Sequence, residues 1–475
     1  MSDLTFDRRA VLKGAGAAAV GLSAIAQAAA GRRKYVIVGV GSRARMYMTA
    51  ITKTFKEGNE LVAICDTNPG RLDTALRFLA PNGSKPRKYL AADFDQMIKA
   101  HKPDCVIVTC PDAWHDDYIV RSLDAGMDCI TEKPLTTTAE KAQRILDACK
   151  RNNRHVRVLF NYRYSPPRTQ IKDLLMNGAI GDILSIDFQW LLNTQHGADY
   201  FRRWHSQKAI SGGLMIHKST HHFDLVNWWL GSDPEIVMAY GKKEYYTPKM
   251  ARRMGLASHH ERCHTCPEKD KCTFFLDITA DKNFKELYFD NEKHDGYFRD
   301  RCVWRPDIDI EDTMNVIVKY KMGATLSYSL NAMNAWEGYQ IAFNGTKGRI
   351  EHSIVEGGAI AAGAVGYQGQ EQDRERTRLI PLRGQAKDLE VWTGTGGHGG
   401  GDNVMLTEVF GKAEEDKYRR AADERSGLYS ILIGAAANRC FETGSAVKIG
   451  DLVQGLSSPV VAPMPTREDP VPMPA

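Results

Sequence analysis

Three stretches of the sequence hold residue types whose spacing suits chemistry. Gly39-Val40-Gly41-Ser42-Arg43-Ala44 has GxGxxA spacing. The first glycine permits a tight turn, the second lets backbone approach a pyrophosphate, and small Ala44 lets a helix pack on a sheet with its first amides facing the phosphates. Asp66, about 25 residues beyond Gly41, closes an apolar run where a carboxylate would hold the adenine-ribose hydroxyls and favour NAD. Arg71 leaves NADP open, and Asp66 could instead cap the turn Thr67-Asn68-Pro69-Gly70. Further on, Glu132 and Lys133 end a strand-like run, and His217 and His221 stand four residues apart. Oxidising an alcohol carbon moves a hydride to a nicotinamide while a base takes the hydroxyl proton. A lysine at its ordinary ~10.4 is protonated at neutral pH, and reaching ~7.5 would take about 4 kcal/mol of burial and neighbouring charge; a histidine titrates near ~6.5 unaided. His221 is therefore expected as the base, with Lys133 as hydrogen-bond donor or relay partner, the two roles being exchangeable. His217 is expected on the same helix face as His221, in an acid–base role.

These residues need a scaffold that gathers strand ends. Tyr35–Val38, Leu61–Ile64, Asp104–Thr109 and Asp128–Thr131 read as strands of a parallel sheet, with helices over about 93–100 and 116–125 between them. Ligands of such sheets lie at the carboxyl ends of the strands, where Glu132 and Lys133 fall. Later, Ile183 onward and Met314–Tyr320 alternate as strands, Met322-Gly323 turns a hairpin into Ala324–Leu330, and Asn403–Lys412 and Gly427–Phe441 read as helices. The 475 residues, 43% hydrophobic and 25% charged, require substantial cores and exclude a disordered or small stapled chain. A formal charge of +5 over this length implies no nucleic-acid partner and no attraction to a membrane surface.

The first thirty residues read as a targeting segment rather than fold. Arg8-Arg9 precede a mildly apolar stretch from Gly14 to Ala26 and then small residues, with cleavage expected after Ala28 or Ala30. This resembles a Tat signal, whose translocase would export the folded protein to the periplasm. No later window is long and apolar enough for a bilayer span.

The strand followed by Glu132-Lys133-Pro134, the Gly39–Ala44 turn, and Thr109-Cys110-Pro111 followed by Trp114-His115 together resemble the Gfo/Idh/MocA oxidoreductase family from about Tyr35 to Ile449. The resemblance implies an α/β chain. A Rossmann dinucleotide-binding domain over 31–158 would precede a substrate and oligomerisation domain over 159–457, built on a large, mainly antiparallel sheet, with a Pro-rich tail over 458–475. It implies a homo-oligomer and a bound nicotinamide cofactor, NAD or NADP, contacted by Gly39, Gly41, Ser42, Arg43, Asp66, Thr109, Pro111, His115, Glu132 and Lys133. His221 matches the family histidine after Gly212-Gly213, whereas His217 replaces the usual aspartate and Ser219 the usual glycine, which departs from the standard polyol mechanism. Tyr162 and Tyr164, in the domain-entry segment, Arg203 and Trp204 in an aromatic and cationic loop, and His398 and Asp402 in a glycine-rich loop are expected to meet a carbohydrate substrate.

Ten cysteines divide into two groups. Six read as small buried hydrophobes. Cys263, Cys266, Cys272 and Cys302, in a polar insertion over about 255–305, have spacing that suits a structural Zn or an iron–sulfur cluster, with two disulfides as the competing reading. A sugar, polyol or glycoside oxidoreductase is the expected function. A periplasm supplies no soluble NAD pool, so the cofactor should be held tightly. The alternative is an NAD-dependent glycoside hydrolase similar to glycoside hydrolase family 109, using transient oxidation at C3, elimination, water addition and re-reduction.

Overall fold

The computed structural model describes residues 31–257, 259–356, 375–412 and 414–473; the expected Tat segment lies outside them. The first unit is a six-stranded sheet of β1 (Arg33–Val38), β2 (Asn59–Asp66), β3 (Arg87–Leu90), β4 (Cys105–Val108), β5 (Asp128–Glu132) and β6 (Val156–Leu159). Its order is β3-β2-β1-β4-β5-β6, all pairs parallel. The order reverses direction beside β1, and the crevice that this creates at the strands' carboxyl ends is where a dinucleotide binds. Val36, Ile37, Val106, Ile107 and Ile130 are buried, as continuous β-branched runs must be when helices cover both faces.

The second unit is a nine-stranded sheet formed by β7 (Ile183–Asn193), β8 (Pro234–Lys242), β9 (Thr313–Tyr320), β10 (Thr325–Asn334), β11 (Gly338–Gly345), β12 (Gly348–Val355), β13 (Glu375–Pro381), β14 (Lys387–Leu389) and β15 (Val447–Lys448). The order is β14-β13-β12-β11-β7-β10-β9-β8-β15. Only β7 and β10 pair in parallel, so the fold is the expected Rossmann unit followed by an α/β unit with a mainly antiparallel sheet. Along β9 alternate residues are buried and Asn315, Ile317 and Lys319 face outward, which leaves one face of the sheet open. The other face packs on helices, chiefly Thr220–Leu230 and the twenty-residue Glu424–Thr443.

The chain between β8 and β9 leaves the sheet as a long excursion. Arg262 pairs with Arg301 in an isolated antiparallel bridge, and the amides of Cys263 and Cys302 donate across it to the carbonyls of Asp300 and Glu261. The C-terminal stretch docks along the second unit. Ala462 is buried, and Arg467 donates to the carbonyl of Ile183. Among the described residues no helix is long and apolar enough to cross a membrane.

Candidate active site

The turn after β1 has the form a dinucleotide requires. Gly39 has φ +85°, and a Cβ there would lie 2.5 Å from the amide nitrogen of Cys110, so only glycine fits. At Gly41 a Cβ would project into open space, meeting only the Tyr288 hydroxyl at 3.8 Å; that space is a cradle for a phosphate. Asp66 ends β2 and accepts from the amides of Val40 and Asn68, each at 2.8 Å, and from Nε of Arg71 at 3.3 Å. Arg71 also pairs with Asp295 at 2.5 Å. Thr109 ties the end of β4 to β1 through the carbonyls of Val38 and Gly39, and Pro111 precedes the short turn Asp112–Trp114. These residues fit a nicotinamide dinucleotide. His115 is a different case, because both its ring nitrogens face backbone carbonyls, of Pro134 at 2.8 Å and Cys110 at 2.9 Å. It braces the loops after β4 and β5.

At the end of β5, Glu132 takes Nε of Arg43 at 2.5 Å and the hydroxyl of Tyr47. The next side chain, Lys133, points into the second unit, where Nζ donates to the carbonyl of His217 at 3.1 Å and lies 3.5 Å from its Nε2. Nδ1 of His217 stands 2.5 Å from Oδ2 of Asp112. A chain from carboxyl through imidazole to amine therefore crosses between the two units. Burial lowers Lys133 to about 8, against the pull of Asp112 and Glu132. The same burial, together with the charge on Lys133, pushes His217 and His221 well below the usual imidazole value, and burial drives Asp112 well above the carboxylate range. The order expected from unperturbed side chains is thereby reversed: Lys133, rather than His221, titrates nearest to neutrality.

His217 and His221 do not share one helix. Leu214–His217 is a single turn, and Thr220–Leu230 starts after a break where the amide of Ser219 reaches back five residues to the carbonyl of Leu214. His217 faces Lys133. His221 instead stacks on Tyr162, ring centroids 4.3 Å apart, and its buried Nδ1 has no hydrogen-bond partner. Tyr162 holds the expected substrate side of the site: its hydroxyl donates to Glu356, and Lys218 donates to it at 3.4 Å from above the face of Trp190. Tyr164, two residues on, is turned away into the core of the first unit and accepts from Arg157. The domain-entry segment is a 3₁₀ turn, in which the two tyrosines point differently.

Trp204 is half-buried with its ring edge-on to His217 at 5.6 Å. Arg203 already pairs with Asp199 at 3.1 Å. The glycine-rich loop does reach the site. His398 lies 5.6 Å from the Tyr162 ring and 2.9 Å from Asp402, which also accepts from Asn161 at 2.7 Å. Against the upward push of burial, the His398 hydrogen bond and Arg43 hold Asp402 at about 2.

Sequence reading missed Asp112 and Lys218. Asp112 follows the quoted Pro111 at a strand's carboxyl end, a signal that was available; Lys218 has none, since nothing local marks it as inward-facing. Cys263, Cys266, Cys272 and Cys302 do line one small cavity, of about 20 Å³, as free thiols. Among the described residues, however, no group of three Cys, His, Asp or Glu is arranged to hold a metal ion. A cation is already present there: Nη1 of Arg202 donates to Sγ of Cys263 at 3.1 Å, and its other nitrogen to the carbonyl of Phe274.

A Rossmann crevice, a lysine at the end of β5 and a covering mixed sheet define a nicotinamide-dependent oxidoreductase. Residues 33–160 match the NAD-binding Rossmann domain of the Gfo/Idh/MocA oxidoreductase family and residues 172–449 its C-terminal α/β domain, and the chain belongs to that family. It is 36% identical over 431 residues to YteT of Bacillus subtilis (strain 168), which carries an oxidoreductase name, covering 89% of this chain and 99% of that one. The inositol 2-dehydrogenase of Salmonella typhimurium is 28% identical over 205 residues, 43% of this chain and 56% of that one. The aldose–aldose oxidoreductase of Caulobacter crescentus, solved with glycerol, shares the fold with a TM-score of 0.56 at 18% identity, over 88% of this chain and all of that one.

Proposed function

We propose that this NAD(P)-dependent oxidoreductase acts on a secondary hydroxyl of a sugar, polyol or glycoside. The observation that carries this reading is the Asp112–His217–Lys133 chain at the carboxyl end of β5, beside the nicotinamide end of the crevice. Bound nicotinamide would accept the hydride from the hydroxyl-bearing carbon. Lys133, lowered to about 8 by burial, takes the hydroxyl proton, and His217, held by Asp112, orients the amine. His221, with a free Nδ1, hydrogen-bonds a neighbouring hydroxyl. Tyr162, Trp204, His398 and Asp402 bound the sugar. The test is turnover of a sugar and polyol panel by the wild type, Lys133→Met and His221→Ala. Wild-type activity with both variants silent supports the assignment, and full activity of Lys133→Met refutes it.

A second reading is hydrolysis of a glycoside through transient oxidation. It is favoured by the presence of two further imidazoles and Tyr162 around Lys133, since elimination needs a second base beside the oxidised carbon. Release of free sugar from aryl glycosides without added nucleotide would distinguish it from net oxidation.

Export by the Tat pathway to the periplasm belongs to the same proposal and rests on Arg8-Arg9 and the apolar stretch after them. Cell fractionation with Arg8→Lys/Arg9→Lys should leave the protein in the cytoplasm. Self-association through the open sheet face, where Tyr240 and Ile317 are exposed, is testable by light scattering.

A further inference from the structure

The insertion belongs by sequence to the second unit, yet its far part lies on the first. Asp281 caps the helix Lys282–Leu287, and the chain continues through short turns to Arg299, with Ile278, Leu287 and Tyr288 forming a small core of their own. The contacts that this segment makes are not scattered over the Rossmann unit. The amide of Ser42 donates to the Tyr288 hydroxyl at 3.3 Å, and Arg45 donates to Asn283 at 2.9 Å. Asn68 donates to the carbonyl of Asn291 at 3.0 Å, Arg71 pairs with Asp295, and the Asn291 side chain lies so close to Gly70 that no Cβ would fit there. These are the two stretches a dinucleotide must touch: the glycine turn, and the loop after the ribose-binding carboxylate. At its other side the segment is fixed to the second unit, through Arg299 to Asp199 at 2.6 Å and Arg262 to Glu292 and Asp300 at 2.7 and 2.6 Å. Tyr288, Asn291 and Arg299 are all buried.

We propose that residues 281–299 form a further wall of the nucleotide site, and that they make the cofactor a resident group rather than an exchanging co-substrate. The Tyr288 hydroxyl, which here accepts from the Ser42 amide, would yield that amide to a phosphate oxygen and donate its own proton to the same phosphate. Asn291 and Asp295 close over the adenosine end. Release then requires this wall to lift as a unit, breaking its contacts with Asn68, Arg71 and Arg45 together. The inference rests on the nicotinamide-enzyme reading above.

The test uses the full chain. The protein is purified, its nucleotide is released by denaturation and quantified, and the dissociation rate is read by chasing bound NADH with excess NAD while following NADH fluorescence. Wild type is expected to keep nucleotide through gel filtration. Tyr288→Phe, isosteric and lacking one donor, is expected to release it roughly tenfold faster or more, the range for a hydrogen bond to a charged group. Asp295→Asn, which loosens the wall at Arg71, should accelerate release without altering Ser42. Thermal unfolding of the nucleotide-free forms controls for misfolding. Wild-type release rates in both variants, or a wild type that loses its nucleotide on gel filtration, would overturn the wall and leave the oxidoreductase reading standing. A wild type that binds neither NAD nor NADP would overturn both.

Discussion

Oδ2 of Asp112 and Nδ1 of His217 lie 2.5 Å apart, although they belong to different units of the fold. Asp112 sets a carboxyl group behind the His217 imidazole, whose other nitrogen lies 3.5 Å from Nζ of Lys133. Asp112→Asn should lower kcat about 10- to 100-fold with little change in KM, the usual effect of losing a supporting partner. Because Asp112 raises the Lys133 pKa, the same substitution should move the rising, acid-side limb of the pH–rate profile to lower pH. A purely structural role would not move that limb.

The wild-type pH profile follows from Lys133. A general base works deprotonated, and burial lowers this amine to about 8, so kcat/KM for oxidation should rise tenfold per pH unit below that value and level off above it. Lys133→Met should cost about 10²- to 10⁴-fold and abolish the limb. A flat profile between pH 6 and 9 would assign the proton to another group.

Cofactor choice is set where Arg71 lies between Asp66 and Asp295. The two carboxylates neutralise the guanidinium that a 2′-phosphate would need, so NAD is expected to bind tighter than NADP. Asp66→Ala/Asp295→Asn should narrow or invert the preference, as read from dissociation constants for both nucleotides by calorimetry.

The thiol cavity allows a further test. Arg202→Met removes the donors to Cys263 and to the carbonyl of Phe274, and should destabilise the insertion by about 1–3 kcal/mol, measured by thermal unfolding and by protease cleavage within 255–305. Metal analysis of the wild type should find less than one zinc per chain, because the four sulfurs do not converge as a tetrahedral ion demands. One tightly held zinc per chain would instead establish the four-thiolate site.

Much of the first unit was legible because its signals are local. A β-branched run, a glycine at fixed spacing and a carboxylate at the next strand's end each act within a few residues, and β1, β2, β4 and β5 follow them. The pair Asp112 and His217 was not legible, being 105 residues apart and joined only when the two sheets pack. Helical spacing misled at His217 and His221, since the break at Lys218-Ser219 carries no proline or glycine to announce it. Tyr164 was placed at the site by resemblance alone, and the 3₁₀ turn Asn161–Tyr164 instead sends it into the core of the first unit. The contact of Ser42 with Tyr288, across 246 residues, has no local signature at all.

The Arg262–Arg301 bridge gives the wall over the nucleotide a narrow neck, with both of its feet at one place. The entropy of closing that loop is met at the neck, so docking its tip is an event separate from forming the nine-stranded sheet. Chain order then sets the sequence of assembly. The crevice is complete by β6, emerges first during synthesis and stands open until the later segment arrives to cover it. On the wall proposed above, loading would be a step in the birth of the molecule rather than in its working cycle, and a chain maturing without nucleotide would close over an empty site.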